Sequence, residues 1–134
     1  MITMRITPAD LKKLRRQVEK VVGDKEKEAA KLIRRYALLI VAEAKRLAPV
    51  DDGPLRANIV EEVNGLTADV VARMLYAKFV EFGTGRRGAA SGVAKPSDYN
   101  YGPKPGMKAQ PFLFPALEKY REDFIRELRA LGFR

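Results

Sequence analysis

The chain has 134 residues, enough for one domain with a hydrophobic core and too few for two. It has no cysteine and no histidine, which excludes disulfides, thiolate nucleophiles, cysteine or histidine metal ligands and histidine general bases. Its formal net charge of +9, from 26 Lys and Arg against 17 Asp and Glu, favours an anionic partner, of which nucleic acid is the usual one.

The N-terminal stretch MITMRITPAD lacks the apolar core of a signal peptide. No later apolar run reaches the ~20 residues that cross a bilayer, so no membrane contact is expected. The sequence therefore predicts a protein that acts inside a cell or in a particle assembled there. Thr7 and Pro8 can cap and start a first helix, which the spacing of apolar residues extends to Val21.

A second, longer helix is predicted over residues 24–48, so that residues 7–48 form a helical region. Its apolar stripe is wider than one face, because Leu38, Leu39 and Val41 flank the inner positions. A stripe of this width is typical of a helix that is buried on two sides. It also predicts an exposed apolar patch that a partner covers.

A turn follows the second helix, in the segment APVDDGPLR at residues 48–56. Its adjacent carboxylates, Asp51 and Asp52, could in principle bind a metal. Paired acids in a Gly-Pro turn are much more typical of turn residues, and we assign no metal site and no cofactor to the sequence.

A β-hairpin is predicted over residues 55–74. The runs LRANIVEEV and LTADVVARM flank Asn64-Gly65, the dipeptide that most strongly indicates a two-residue turn. We expect Val63 to pair with Leu66. In this register one face of the hairpin is apolar except for one glutamate, and the other face is mostly polar.

The rest of the chain, from residue 76 onward, is predicted as a short helix, a loop and a final helix. Residues 76–82, YAKFVEF, favour a short helix that ends at Gly83. Residues 83–110 hold six of the ten glycines and five Lys and Arg against one acid, which predicts a long, flexible basic loop. A C-terminal helix is predicted over 112–131. The fold class is therefore α+β, with helices packed on a small antiparallel sheet and residues 1–134 forming one domain.

Glu81 lies in an apolar context, directly before the glycine-rich stretch FGTGRRG. The stretch is not a phosphate-binding P-loop, because no Lys-Ser or Lys-Thr pair follows it. Glu81 could act as a general acid with a raised pKa, but no motif supplies a second catalytic group, and we predict no catalytic residues. We expect a structural role instead, in which Glu81 accepts hydrogen bonds from backbone amides or pairs with Arg56 or Arg73.

A second interpretation is a sequence-independent nucleic-acid-binding module built on the 83–110 loop. Its cations would contact phosphates, or a neighbouring subunit, and two tyrosines would stack on bases. These candidate contact residues are Arg86, Arg87, Lys95 and Lys104, with Tyr99 and Tyr101 as stacking residues. Against this interpretation, the sequence has no recognition helix and no RNA-binding strand motif.

Three short blocks of sequence, APVDDGPLRANI at 48–59, YAKFVEFGTGRR at 76–87 and MKAQPFLFPAL at 107–117, occur in order. Together they resemble the signature of phage head–tail joining proteins, the tail-completion (neck) family of long-tailed phages, whose members are called gene-product-ten-like morphogenesis proteins. Matching positions in the second and third blocks are Tyr76, Glu81, Phe82, Gly83, Thr84, Gln110, Pro111, Phe112 and Pro115. Phe114 stands where the family usually has Arg.

The resemblance implies a structural protein of the virion neck or tail, from a phage or a prophage, with no catalysis and no cofactor. It implies a ring-like homo-oligomer, a hexamer, that contacts the head-side connector and the tail-tube proteins. DNA passing through such a ring would account for the basic charge through non-specific contacts. Assembly would take place in the cytoplasm of the bacterial host.

Overall fold

The computed structural model describes residues 2–5 and 24–132, and the helix predicted from Thr7 to Val21 lies outside this described part. The α+β class is confirmed, because helices accompany one small antiparallel sheet. That residues 1–134 form one domain stays a prediction. The elements are β1 (Ile2–Arg5), α1 (Asp24–Leu47), α2 (Gly53–Ala57), β2 (Ile59–Asn64), β3 (Thr67–Ala72), α3 (Ala77–Phe82), α4 (Gly85–Ala90) and α5 (Leu113–Ala130).

Helix α1 forms the centre of the fold. One of its sides packs on β2 and β3, and another packs on α5, which accounts for the two-sided burial that its sequence predicts. The Tyr36 ring of α1 meets the rings of Tyr120 and Phe124 on α5 edge-on, with centroids 6.1 and 5.3 Å away. Edge-to-face contacts at such distances add to the stability that apolar burial provides. The core therefore lies between α5, α1 and the sheet.

The prediction of an exposed apolar patch on α1 is right at two of its three residues. Leu38 is 49% exposed and Leu39 is 38% exposed. Val41 is buried, and its assignment to the patch is wrong. The helical period explains the difference, because Val41 shares a face with Ala37 and Ala44, which pack in the core.

The sheet has the strand order β1–β3–β2, and both strand pairs are antiparallel. The hairpin of β2 and β3 was predicted, but β1 was not. A run of four residues carries too little alternation to be recognised alone, and its partner β3 lies more than sixty residues away in the chain. Pairing with β1 makes β3 the central strand, and Val70 and Val71 of this strand are both buried.

The predicted pairing of Val63 with Leu66 is wrong. Val63 lies opposite Ala68, and the two loop residues are Gly65 and Leu66. This loop needs a positive φ at its first position, and Gly65 supplies it with a φ of 60°. The error is a shift of two residues, so each side chain stays on the face that its alternation predicts.

The predicted first strand of the hairpin also begins too early. Residues from Gly53 to Ala57 form α2, and β2 starts only at Ile59. Pro54 suits the first turn of this helix, and the Asp52 carboxylate caps it by accepting a hydrogen bond from the Leu55 amide at 3.0 Å. The turn chemistry was recognised in the sequence, but the turn continues into a short helix.

Glu43 is a carboxylate buried at the contact of α1 and α5, with 7% of its surface exposed. The Arg46 Nε donates to it at 3.1 Å, and the Lys119 Nζ donates at 3.2 Å. The hydrogen bond from Arg46, aided by Lys119 and opposed by burial, lowers the pKa of Glu43 to about 2. The ionised form is therefore favoured in the folded protein.

We expect this lowered pKa to make folding stability depend on acid pH. The stabilisation from Glu43 is complete above its unfolded pKa near 4.5 and is lost as the pH falls toward 2, because the unfolded chain takes up the proton first. Urea unfolding between pH 2 and 6 should show a smaller loss of stability at low pH for Glu43→Gln than for the parent. Glu26→Gln, at an exposed position of the same helix, is the control and should follow the parent curve. Equal curves for all three proteins would contradict this assignment.

Candidate functional site

The site is built around Glu81, whose side chain is 1% exposed. Its Oε2 accepts hydrogen bonds from the backbone amides of Phe112 at 2.8 Å and Leu113 at 3.0 Å. Its Oε1 accepts one from the amide of Phe114 at 3.0 Å. These amides belong to the start of α5, where backbone N–H groups have no partner within the helix and the helix dipole favours a negative charge. Glu81 therefore caps α5 from another part of the chain.

Helix α3 sets the position of this carboxylate. It buries Ala77, Val80 and Phe82 together with Glu81, and it ends at Gly83. The amide of Gln110 donates to the Val80 carbonyl at 2.8 Å, which aligns the start of the third sequence block beside α3. Two distant segments thus meet along a short stretch of backbone.

Of the two partners predicted for Glu81, backbone amides are correct and arginine is wrong. The Arg56 guanidinium donates to the Ala48 carbonyl at 3.3 Å. Arg73 donates to Glu62, a residue of β2, at 3.1 Å. Both arginines therefore have partners close to their own elements, and neither forms a hydrogen bond or an ion pair with Glu81.

Thr84 joins the same two segments by a second set of hydrogen bonds. Its amide donates to the Met107 carbonyl at 2.9 Å, and the Met107 amide lies 3.0 Å from the Thr84 carbonyl and 2.9 Å from its Oγ1. The amide of Arg86, the second residue of α4, donates to the Lys104 carbonyl at 2.9 Å. Thr84 therefore holds its own backbone segment against the segment that contains Met107.

Residues 83–110 are not a continuous loop, because α4 lies within them and their two ends are hydrogen-bonded to each other. Tyr99 lies against Phe82, with ring centroids 5.1 Å apart, and its hydroxyl donates to the Gly83 carbonyl. Tyr99 also meets Tyr101 edge-on at 5.2 Å. The two tyrosines thus pack this segment onto α3. Whether the segment is flexible in solution stays a prediction.

The first sequence block is joined to the second through Tyr76. The Tyr76 hydroxyl donates to the Asp52 Oδ1 at 2.6 Å, and this hydrogen bond raises the pKa of Tyr76. The same oxygen accepts the capping bond from Leu55. All three blocks of the signature therefore meet through hydrogen bonds within the chain.

The remaining candidate residues fall into two groups. Gln110 is exposed and contributes its backbone, Pro111 is partly buried, and Pro115 lies in the first turn of α5, where a missing N–H has no cost. The cations lie on the surface. Arg86, Arg87, Lys95 and Lys104 are all exposed, and Lys95 donates to the Tyr99 carbonyl at 3.1 Å.

Sequence reasoning missed Ser91, whose Oγ accepts a hydrogen bond from the Ala109 amide at 3.0 Å and donates to the Arg87 carbonyl at 3.0 Å. It also counted Gly88 and Gly106 only as signs of flexibility. A side chain at Gly106 would meet the Thr84 carbonyl oxygen at 2.0 Å, so the backbones touch there. A lone serine or glycine gives no sequence signal of this kind.

The chemistry of this arrangement is that of a structural junction. The Glu81 oxygens face three amides, which suits a carboxylate that holds backbone segments together. Within residues 2–5 and 24–132, no group of three or more acidic side chains could hold a metal ion. Over the same residues, no helix has the length and apolar character needed to cross a membrane.

Comparison with known proteins identifies the family. The profile of a family described as "Bacteriophage HK97-gp10, putative tail-component" matches residues 12–83, more than half of the chain. The match includes α1, the hairpin and Glu81, and it confirms the resemblance to gene-product-ten-like phage proteins. No curated protein and no solved structure matches the chain. The chain therefore belongs to the HK97-gp10-like family of phage tail components.

Proposed function

We propose that this tail component is a structural protein of the phage neck, which joins head and tail or completes the tail as part of an oligomeric ring. The observation that carries the proposal is that the polar groups of the signature are used within the chain. Glu81 caps α5, Asp52 binds Tyr76, and Thr84 pairs with Met107. Such a junction supports a rigid building block better than a site of turnover. Its neighbours would be the head-side connector and the tail-tube proteins.

The test is assembly of particles without this chain. Phage-producing cells that lack it should accumulate filled heads and separate tails, which negative-stain electron microscopy distinguishes from whole particles. Addition of the purified protein to such a lysate should restore joined particles. Whole, infectious particles formed in its absence would contradict the neck assignment.

We propose further that the ring forms from copies of this chain, a hexamer by family resemblance, through the exposed apolar side of α1. Leu38 and Leu39 lie on that side, and Lys31, Arg34 and Lys45 border them as exposed cations. A contact between like-charged copies is weakened by repulsion, which salt screens. Self-association should therefore increase with ionic strength.

Light scattering of the purified protein across a range of sodium chloride concentrations checks this prediction. Leu38→Asp with Leu39→Asp should abolish self-association. Leu75→Asp, at a position 78% exposed but outside α1, is the matched control and should leave it unchanged. A strict monomer at every salt concentration, or equal effects of both variants, would remove α1 as the ring contact.

The alternative function, nucleic-acid binding through residues 83–110, also has support from the structure. Arg86 and Arg87 are neighbours on α4, both exposed, and neither has an ion-pair partner among the described residues. Contacts of this kind would be non-specific. In a ring they would let the chain touch DNA in the channel.

Such binding should fall steeply with salt, with a log–log slope of roughly −0.9 per phosphate contact. Arg86→Glu with Arg87→Glu should make the slope shallower and weaken binding to any duplex sequence. The control is Lys31→Glu with Arg34→Glu, which changes the net charge of the chain by the same amount but at α1. Fluorescence anisotropy with two unrelated duplexes measures both. Equal losses in the two double variants would mean that net charge, and not α4, attracts the DNA.

A further inference from the structure

A groove of about 540 Å³ lies between β1, α3 and residues 94–100. This volume is within the range of about 300–1,000 Å³ that is usual for ligand sites. Three aromatic rings line it, from Phe79, Phe82 and Tyr99. Phe79 is 38% exposed although it is large and apolar, which leaves part of its ring available to a partner.

The groove is bordered by the edge of the sheet. In the strand order β1–β3–β2, β1 is an outer strand, and it pairs with β3 on one side. Ile2 and Thr3 both line the groove. Consecutive residues of a strand point to opposite faces, so a groove that touches both lies along the edge of the strand. An outer strand offers backbone groups with which an extended peptide can pair.

The charge at the groove is positive. Lys78 and Lys95 line it, against one acid, Asp98. Lys95 already donates to the Tyr99 carbonyl. Lys78 is exposed, lies 5.2 Å from the centre of the Phe79 ring, and has no ion-pair partner among the described residues. It is therefore the cation at this groove that a carboxylate of a partner can reach.

We infer that this groove binds an extended, acidic segment of a different protein. The segment adds to the edge of β1, places a bulky apolar side chain against Phe79, and brings a carboxylate to Lys78. A partner of opposite charge is favoured over a second copy, because the chain carries a net charge of +9. The inference concerns binding by the isolated chain and does not depend on a place in the neck.

Single-stranded nucleic acid fits the groove less well than a peptide. Tyr99 already packs against Phe82 and Tyr101, with ring centroids 5.1 and 5.2 Å apart, which leaves less of its ring for stacking on a base. One available lysine cannot follow a phosphate backbone, which needs a row of cations. The edge of β1 offers amides and carbonyls, which are matched by another peptide backbone.

A displayed library of random twelve-residue peptides, selected on the purified full chain at physiological salt, tests the inference. The enriched peptides should carry a bulky apolar residue within two positions of Asp or Glu and should lack proline at the centre. A labelled peptide from this selection should slow hydrogen exchange at residues 2–5. Its affinity should fall at least tenfold in Phe79→Ser and in Lys78→Glu.

Two controls lie at exposed positions outside the groove and outside the proposed ring contact, Val50→Ser and Lys27→Glu, and both should bind the peptide as the parent does. The inference is overturned if no acidic peptide is enriched, or if Phe79→Ser binds unchanged. It is also overturned if a thirty-nucleotide single strand, or a second copy of the chain, binds more tightly than the peptide and loses that binding in Phe79→Ser. If heads and tails joined without this chain, the neck proposal would be wrong, but the expected results for peptide binding would not change. The two proposals can therefore be disproved independently.

Discussion

Glu81→Gln should lower the free energy of unfolding by about 2–4 kcal/mol, although it keeps the size of the side chain. Glutamine has one acceptor oxygen, whereas Glu81 uses both of its oxygens for the amides of Phe112, Leu113 and Phe114. The NH₂ group of the glutamine would also face a backbone N–H, so that two hydrogen-bond donors would meet at a position that is only 1% exposed. An unsatisfied buried donor costs about 1–3 kcal/mol.

Urea unfolding at pH 7 measures this effect, and hydrogen exchange at the first turn of α5 localises it. The control is Glu62→Gln, whose carboxylate pairs with Arg73 but is half exposed. An exposed pair contributes about 0–1 kcal/mol, so the control should stay close to the parent. If the two variants lose equal stability, Glu81 does not hold α5 as we describe.

Gly106→Ala should cost about 3–5 kcal/mol, a loss near the upper end of the range for single substitutions, because the added atom forces two backbone segments apart. Its φ of 67° disfavours any side chain, and an added Cβ would lie 2.0 Å from the Thr84 carbonyl oxygen and 2.7 Å from the Gly85 amide. Both contacts are with backbone, which cannot rotate away. The pairing of Thr84 with Met107 would have to separate.

Gly102→Ala is the matched control. Its φ of 80° carries similar backbone strain, but no atom beyond its two chain neighbours lies within 4 Å of an added Cβ. Strain alone costs about 1–2 kcal/mol. The difference between the two variants, measured by urea unfolding, therefore reports whether residues 83–110 are packed in solution. Equal losses would support the flexible loop that the sequence predicts.

The sequence established that Glu81 needs a partner, because a charge among apolar neighbours is costly if it is left unpaired. It could not choose between amides and arginine. The amides lie 31 to 33 residues further along the chain, and no local pattern indicates that the start of α5 returns to α3. Only the folded arrangement brings them together.

In the hairpin too, the sequence determined one feature and the folded structure another. Alternation of apolar and polar residues determined which side chains share a face, and this survived a wrong register because the error was an even number of residues. The register itself depends on which residue adopts a positive φ, and Gly65 adopts it with Leu66 beside it in the loop.

By itself the sequence determined the fold class, the helical face of α1 and the family, since each depends on the local period or on short motifs read in order. Tertiary structure alone decided the cap on α5, the pairing of β1 with β3 and the role of Gly106. Each of these depends on a contact between segments far apart in the chain, and the free energy of such a contact appears only when both partners are in place.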